Sequence, residues 1–149
     1  MGERPTFAER FLEGETTTIE HDGDTIHSVI ELPVERGGRI QVERISTGSG
    51  RPQGVVLGIE RGDLRVGDVT SRRITLWSDT APERVEVVVA AKRPTIVRAW
   101  NTWRDDEAAE SAWLGWAAMR SERIDDQTVR IACSDRFEPP DFTDLVVDI

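Results

Sequence analysis

Short runs in which apolar and polar residues alternate, or in which β-branched residues stand in brief blocks, recur along this chain with turn residues between them. That pattern restricts the chain to a fold made mainly of strands, because a side-chain period of two suits a pleated sheet and not a helix. Strands are expected near 16–20, 25–32, 39–45, 55–60, 69–77, 84–91, 95–103, 128–133 and 144–148. Asp22-Gly23, Gly37-Gly38, Gly62-Asp63, Ala81-Pro82 and Asp125-Asp126 supply the turns between them. This spacing predicts an antiparallel β-sandwich of the jelly-roll kind, with a small closed β-barrel as the alternative. The run 85–91 is apolar on both faces after Glu86, as a central strand covered on two sides would be.

Two segments carry helical signals. Over 105–119, Thr102 followed by Asp105 resembles a capping box, and Ala, Glu, Leu and Met favour a short helix. Gly115 and a strand reading of 112–119, leading into a hairpin at Asp125-Asp126, oppose it, so both readings stay open. A weaker helix is expected over 7–13.

At 149 residues the chain has the usual size of one domain, and 38% apolar with 32% charged residues suffices for a core and a soluble surface. A single cysteine, Cys133, excludes an intrachain disulfide. With no apolar stretch of signal-peptide or membrane-span length, a cytoplasmic protein without membrane contact is expected.

The net charge of −9 is unevenly distributed. Residues 1–35 hold nine acids and two bases, 36–104 seven acids and thirteen bases, and 105–149 twelve acids and four bases, giving −7, +6 and −8. The overall sign argues against nucleic acid as a partner. The alternation of sign points to pairing of the basic middle with acidic ends, within one chain or between copies.

Four of the five tryptophans fall in one stretch, Trp100, Trp103, Trp113 and Trp116, with Arg98, Asn101 and Arg104 among them. Aromatic faces beside hydrogen-bonding groups are what sugar rings, planar ligands and protein partners dock against, and these seven residues form the candidate ligand-binding set. Packing inside the core, with arginines laid over the rings, is the competing explanation. On a strand Trp100 and Trp103 point to opposite faces, so at least one of the pair faces the core.

Other motifs carry less. His21, Asp22, Asp24 and His27 are ligand-type residues, but a two-residue turn at Asp22-Gly23 pairs His21 with Asp24 and His27 with Thr18, which sends the two histidines to opposite sides, and no metal is assigned. The Gly48, Gly50 and Gly54 loop lacks the lysine and following helix of a phosphate cradle. Cys133 shares a strand face with Val129 and Ile131 and is expected to be buried and inert. Asp135, Asp141 and Asp144 lie near Pro139-Pro140, where carboxylates serve acid–base chemistry, hold a hard cation, or simply pair with arginines. The last strand should point Leu145, Val147 and Ile149 inward.

The expected function is a non-catalytic binding module that holds a small molecule, glycan or protein partner on the Trp/Arg surface, with no cofactor. A homo-oligomeric assembly protein using complementary acidic and basic segments is the alternative, and an enzyme using the Asp carboxylates or a metal is a third.

Overall fold

A computed structural model of the chain describes residues 5–48, 50–104, 110–137 and 140–149. Within them the backbone forms one helix, α1 (Phe7–Gly14), and fourteen strands. These are β1 (Thr18–His21), β2 (Asp24–His27), β3 (Ile30–Val34), β4 (Arg39–Ser46), β5 (Gln53–Ile59), β6 (Asp63–Val66) and β7 (Val69–Ser71). They continue as β8 (Arg73–Trp77), β9 (Arg84–Ala90), β10 (Thr95–Arg104), β11 (Glu110–Ser111), β12 (Ala118–Arg123), β13 (Val129–Ser134) and β14 (Leu145–Asp148).

Two antiparallel sheets result. One runs β1-β2-β12-β13-β14-β4-β9-β6-β7; the other runs β11-β10-β5-β8, with β3 also paired to β10. Alternate residues of facing strands meet between them: Val42, Val85, Val87, Val89, Ile131, Leu145 and Val147 from the larger sheet pack with Val55, Leu57, Ile59, Val97 and Ala99 from the smaller. This is a β-sandwich. Both sheets end in edge strands, so the closed barrel does not form.

Several expectations need correcting. The run 25–32 divides at Ser28 and Val29, with β2 in the larger sheet and β3 in the smaller, and 69–77 divides at Arg72 in the same way. Strand β9 lies between β4 and β6 as an interior strand, but only Val85, Val87 and Val89 are buried. Glu86 on its other face is exposed, so that face is open rather than covered. No helix occupies 110–119, and residues 105–109 lie outside the described residues. Trp113 (φ 58°) and Gly115 (φ 53°) hold left-handed backbone conformations that no right-handed helix accepts, and a Cβ at Gly115 would lie 2.5 Å from the Arg136 carbonyl oxygen. The strand expected over 112–119 forms only from Ala118, where β12 begins and runs into a hairpin with β13 in the register Arg123↔Val129; 112–117 are neither helix nor strand.

The helix that does form is α1. Thr6 caps it, accepting the Glu9 N–H at 3.2 Å while the Glu9 carboxylate accepts the Thr6 N–H at 3.3 Å. Phe7 and Phe11, one turn apart, bury the same face against Ile26, Trp116, Ala118 and Phe142 in a second apolar cluster beside the main core.

Candidate functional site

Strand β10 sorts the candidate residues by parity. Its odd residues Val97, Ala99, Asn101 and Trp103 face the larger sheet: Asn101 Nδ2 donates to the Ser134 carbonyl on β13 at 2.8 Å, and Trp103 is 0% exposed. The even residues Arg98, Trp100, Thr102 and Arg104 face outward. Of the seven candidates, Asn101 and Trp103 are therefore core residues. Trp116 lies in the second cluster, its ring edge-on to Phe7 at 4.9 Å. The remaining four, Arg98, Trp100, Arg104 and Trp113, share the outer face of the five-stranded sheet.

Register explains why this face is aromatic. Trp100, Val56 and Thr75 stand side by side across β10, β5 and β8, as do Thr102, Gly54 and Trp77, and Arg98, Gly58 and Arg73. Glycines in β5 leave room for rings to lie on the backbone. A Cβ at Gly58 would meet Trp100 at 3.4 Å, and one at Gly54 would meet Trp77 at 3.0 Å. Trp113 closes over Trp100 with centroids 5.0 Å apart and planes tilted by 31°. Its indole N–H donates to the Ser28 carbonyl at 3.0 Å. Trp100 is 9% exposed beneath it, whereas Trp113 is 46% exposed.

Arginines surround the rings. Arg73 lies 5.2 Å from the Trp100 centroid, and Arg104 lies 4.2 Å from that of Trp77 while bonding Asp79 at 2.7 Å. Arg98 stands 4.0 Å from both Glu31 and Glu60. The sequence did not single out Trp77 or Arg73, which are remote from the tryptophan stretch and join it only through the β5–β8 pairing.

The carboxylates form a different arrangement on the inner side, where the 46–54 and 134–144 connections meet. Asp135, 2% exposed, accepts from Arg51 at 3.3 Å, from Gln53 Nε2 at 3.2 Å and from the Phe137 N–H at 3.2 Å. Asp144 accepts the Asp135 N–H at 2.9 Å. Thr143 bonds hold Asp141 below the usual carboxylate range, while burial, followed by the neighbouring Asp135 and Asp141 charges, lifts Asp144 to about 6. These carboxylates fasten loops. Gly48 belongs to the same fastening, since its N–H donates to the Thr143 carbonyl at 2.9 Å rather than opening toward a phosphate.

Asp144 therefore makes stability pH-dependent. Because its folded value lies above the ordinary 3.8, the fold favours the protonated carboxyl. That contribution is complete below the ordinary value and is lost as pH rises through about 6. Asp144→Asn keeps an acceptor for the Asp135 N–H and removes the charge. After discounting for its partial exposure, the variant is expected to be about 1 kcal/mol more stable than the parent at about pH 7.5 and equal to it near pH 4. Thermal unfolding at the two pH values checks this, and a variant less stable at the higher pH contradicts it.

The histidine hairpin has the expected register, His21↔Asp24 and Thr18↔His27, with positive φ at Asp22 (50°) and Gly23 (84°). His21 bonds Asp22 at 3.3 Å and packs its ring on Phe7 at 4.8 Å, and burial depresses the His27 pKa. Among the described residues no group of three or more His, Cys, Asp or Glu side chains is arranged to hold a metal. Cys133 is fully buried, and that burial pushes its thiol pKa up, away from reactivity. Among the described residues no helix is long and apolar enough to cross a membrane. Comparison with protein-family models, curated proteins and solved structures returns no match.

Proposed function

We propose that the chain is a non-catalytic binding module whose docking surface is the outer face of the five-stranded sheet, centred on Trp113 over Trp100 with Arg73, Arg98 and Arg104 around them. The observation that carries this reading is Trp113 itself. A bulky aromatic in the left-handed region costs about 1 kcal/mol or more, and such strain concentrates where a side chain is held for use. Here it presents a ring that is half open to solvent yet fixed by its indole N–H and by the ring beneath it.

A glycan suits this surface best. A flat indole accepts the C–H face of a sugar ring, and a hydroxylated ring needs donors and acceptors side by side, which Arg98 with Glu31 and Glu60 supplies. The test is a fluorescence titration with a panel of mono- and oligosaccharides, in which all emission is tryptophan because the chain has no tyrosine. At least one glycan is expected to give a saturable change. Trp113→Ala should weaken its binding at least tenfold while costing only about 1 kcal/mol of stability, the size of a lost surface stacking pair. A panel without any saturable response overturns the glycan reading. A response unchanged in the variant moves the site away from this face.

A further inference from the structure

We infer that one end of the sandwich is a docking site for a second copy of this chain, which it meets through the acidic α1–β1–β2 edge, head to tail. This inference stands apart from the tryptophan face, and none of the residues placed at the contact belongs to that face.

The fold gathers cations that are far apart in sequence. Arg36, Arg61, Arg72, Lys92 and Arg93 sit on four connections at the end of the molecule where β4, β6, β8 and β10 begin. Main-chain bonds tie these connections together: Ile59 N–H to the Arg72 carbonyl and Glu60 N–H to the Ile96 carbonyl, both at 3.0 Å, and Val89 N–H to the Gly38 carbonyl at 2.8 Å. The Arg61 N–H adds a bond to Thr95 Oγ1 at 3.2 Å. All five cations are exposed, and among the described residues none pairs with a carboxylate. Arg72 instead bonds the Glu60 carbonyl at 2.9 Å. Of the acids at this end, Glu60 turns toward Arg98, leaving Glu35 and Asp63. Holding like charges together on a rigid frame raises the energy of the isolated molecule, and an anionic partner relieves it.

The complementary charge is on the same chain, out of its own reach. Glu9, Glu13, Glu15, Glu20, Asp22 and Asp24 are exposed on α1 and the β1–β2 hairpin, with Arg10 among them and Arg120 at 3.5 Å from Asp24. Strand β1 is one edge of the nine-stranded sheet, and the basic connections flank β9, β6 and β7 toward the other. At roughly 4.8 Å per strand, about 25–40 Å of sheet separates β1 from β4, β9, β6 and β7, which these connections flank. Among the described residues, Arg51–Asp135 and Arg98–Glu31 are the ion pairs that join the basic middle to an acidic end, so the segregation of charge is left largely unused within one molecule. Complementary patches at opposite edges define a heterologous contact that repeats from copy to copy.

Sedimentation of the full chain over a range of concentrations, at about 20 mM and about 300 mM salt, tests this. The weight-average mass is expected to rise with concentration at low salt and to return to that of one chain at high salt. Two charge-reversed variants, Arg61→Glu/Arg93→Glu and Glu13→Arg/Glu20→Arg, should each associate at least tenfold more weakly, and an equimolar mixture of them should associate again. Rescue on mixing cannot come from misfolded variants. A parent that stays monomeric at low salt, or a mixture that fails to regain association, overturns the inference. If the monomeric parent binds a labelled oligonucleotide under the same conditions, the basic end belongs to a polyanion instead.

Discussion

A chain that ends at Asp144 is expected to lose its cooperative thermal transition and to aggregate. The five residues removed are β14 and Ile149, and β14 lies between β13 and β4, near the middle of the nine-stranded sheet. Leu145 and Val147, each 2% exposed, supply about 1.5–3 kcal/mol apiece by burial alone. The strand also satisfies the ladders of both neighbours, in the registers Cys133↔Leu145 and Asp148↔Glu43, and Arg130 grips Asp148 through two bonds of 2.9 and 3.1 Å. Without it, β13 and β4 become facing open edges, a configuration that recruits other chains. Losses of this kind approach the whole margin of about 5–15 kcal/mol that keeps a domain folded. Calorimetry and near-ultraviolet circular dichroism of the truncated chain decide the matter, and a melting transition within a few degrees of the parent would falsify the assignment of β14 as a central strand.

That strand was legible in the sequence because its alternation of Leu145, Val147 and Ile149 carries the phase of burial directly. The Asp22-Gly23 hairpin was legible for a related reason: a two-residue turn fixes register, and register fixes which way each histidine points. The division of 25–32 between two sheets was not. Ile26 is buried under α1 in the second cluster and Ile30 in the main core, yet both are even-numbered, so the phase of burial gives no sign of the bend that moves the chain from one sheet to the other. Periodicity reports which face is buried and is blind to which sheet the strand joins.

The candidate site was half legible for the same reason. Clustering of tryptophans along the chain drew attention to β10, and parity separated Trp100 from Trp103. That both rings are nonetheless buried depends on Trp113 folding back over Trp100, and this needs left-handed backbone at Trp113 and Gly115 that no local pattern announces. Trp77 and Arg73 came to the face through β5, where Gly54 looks like a loop residue until its neighbours are known. The convergence of Arg61, Arg72 and Arg93 is likewise a product of long-range pairing. In sequence they read only as a basic middle.

Trp103→Ala should be among the most damaging single changes in the protein, lowering stability by about 3–5 kcal/mol, whereas Trp103→Phe should cost about 1 kcal/mol or less. Trp103 is the largest fully buried side chain, and truncation to alanine leaves a cavity between two sheets that cannot collapse toward each other. Its polar atom works against the fold. No acceptor among the described residues reaches the indole N–H, and the Oε1 of Gln53, its cross-strand partner on β5, is also without a donor. An unpaired buried donor costs about 1–3 kcal/mol, so phenylalanine recovers on the polar side much of what it loses in volume. At this chain length each kcal/mol shifts the melting temperature by roughly 2–4 °C, which separates the two variants clearly from each other. If phenylalanine proves as harmful as alanine, the indole N–H is paired in solution and the balance assigned to this residue is wrong. If it is tolerated, Trp103 is held by its volume, and the polar use of tryptophan in this chain is confined to the outer face, where Trp113 spends its N–H on holding a ring toward solvent.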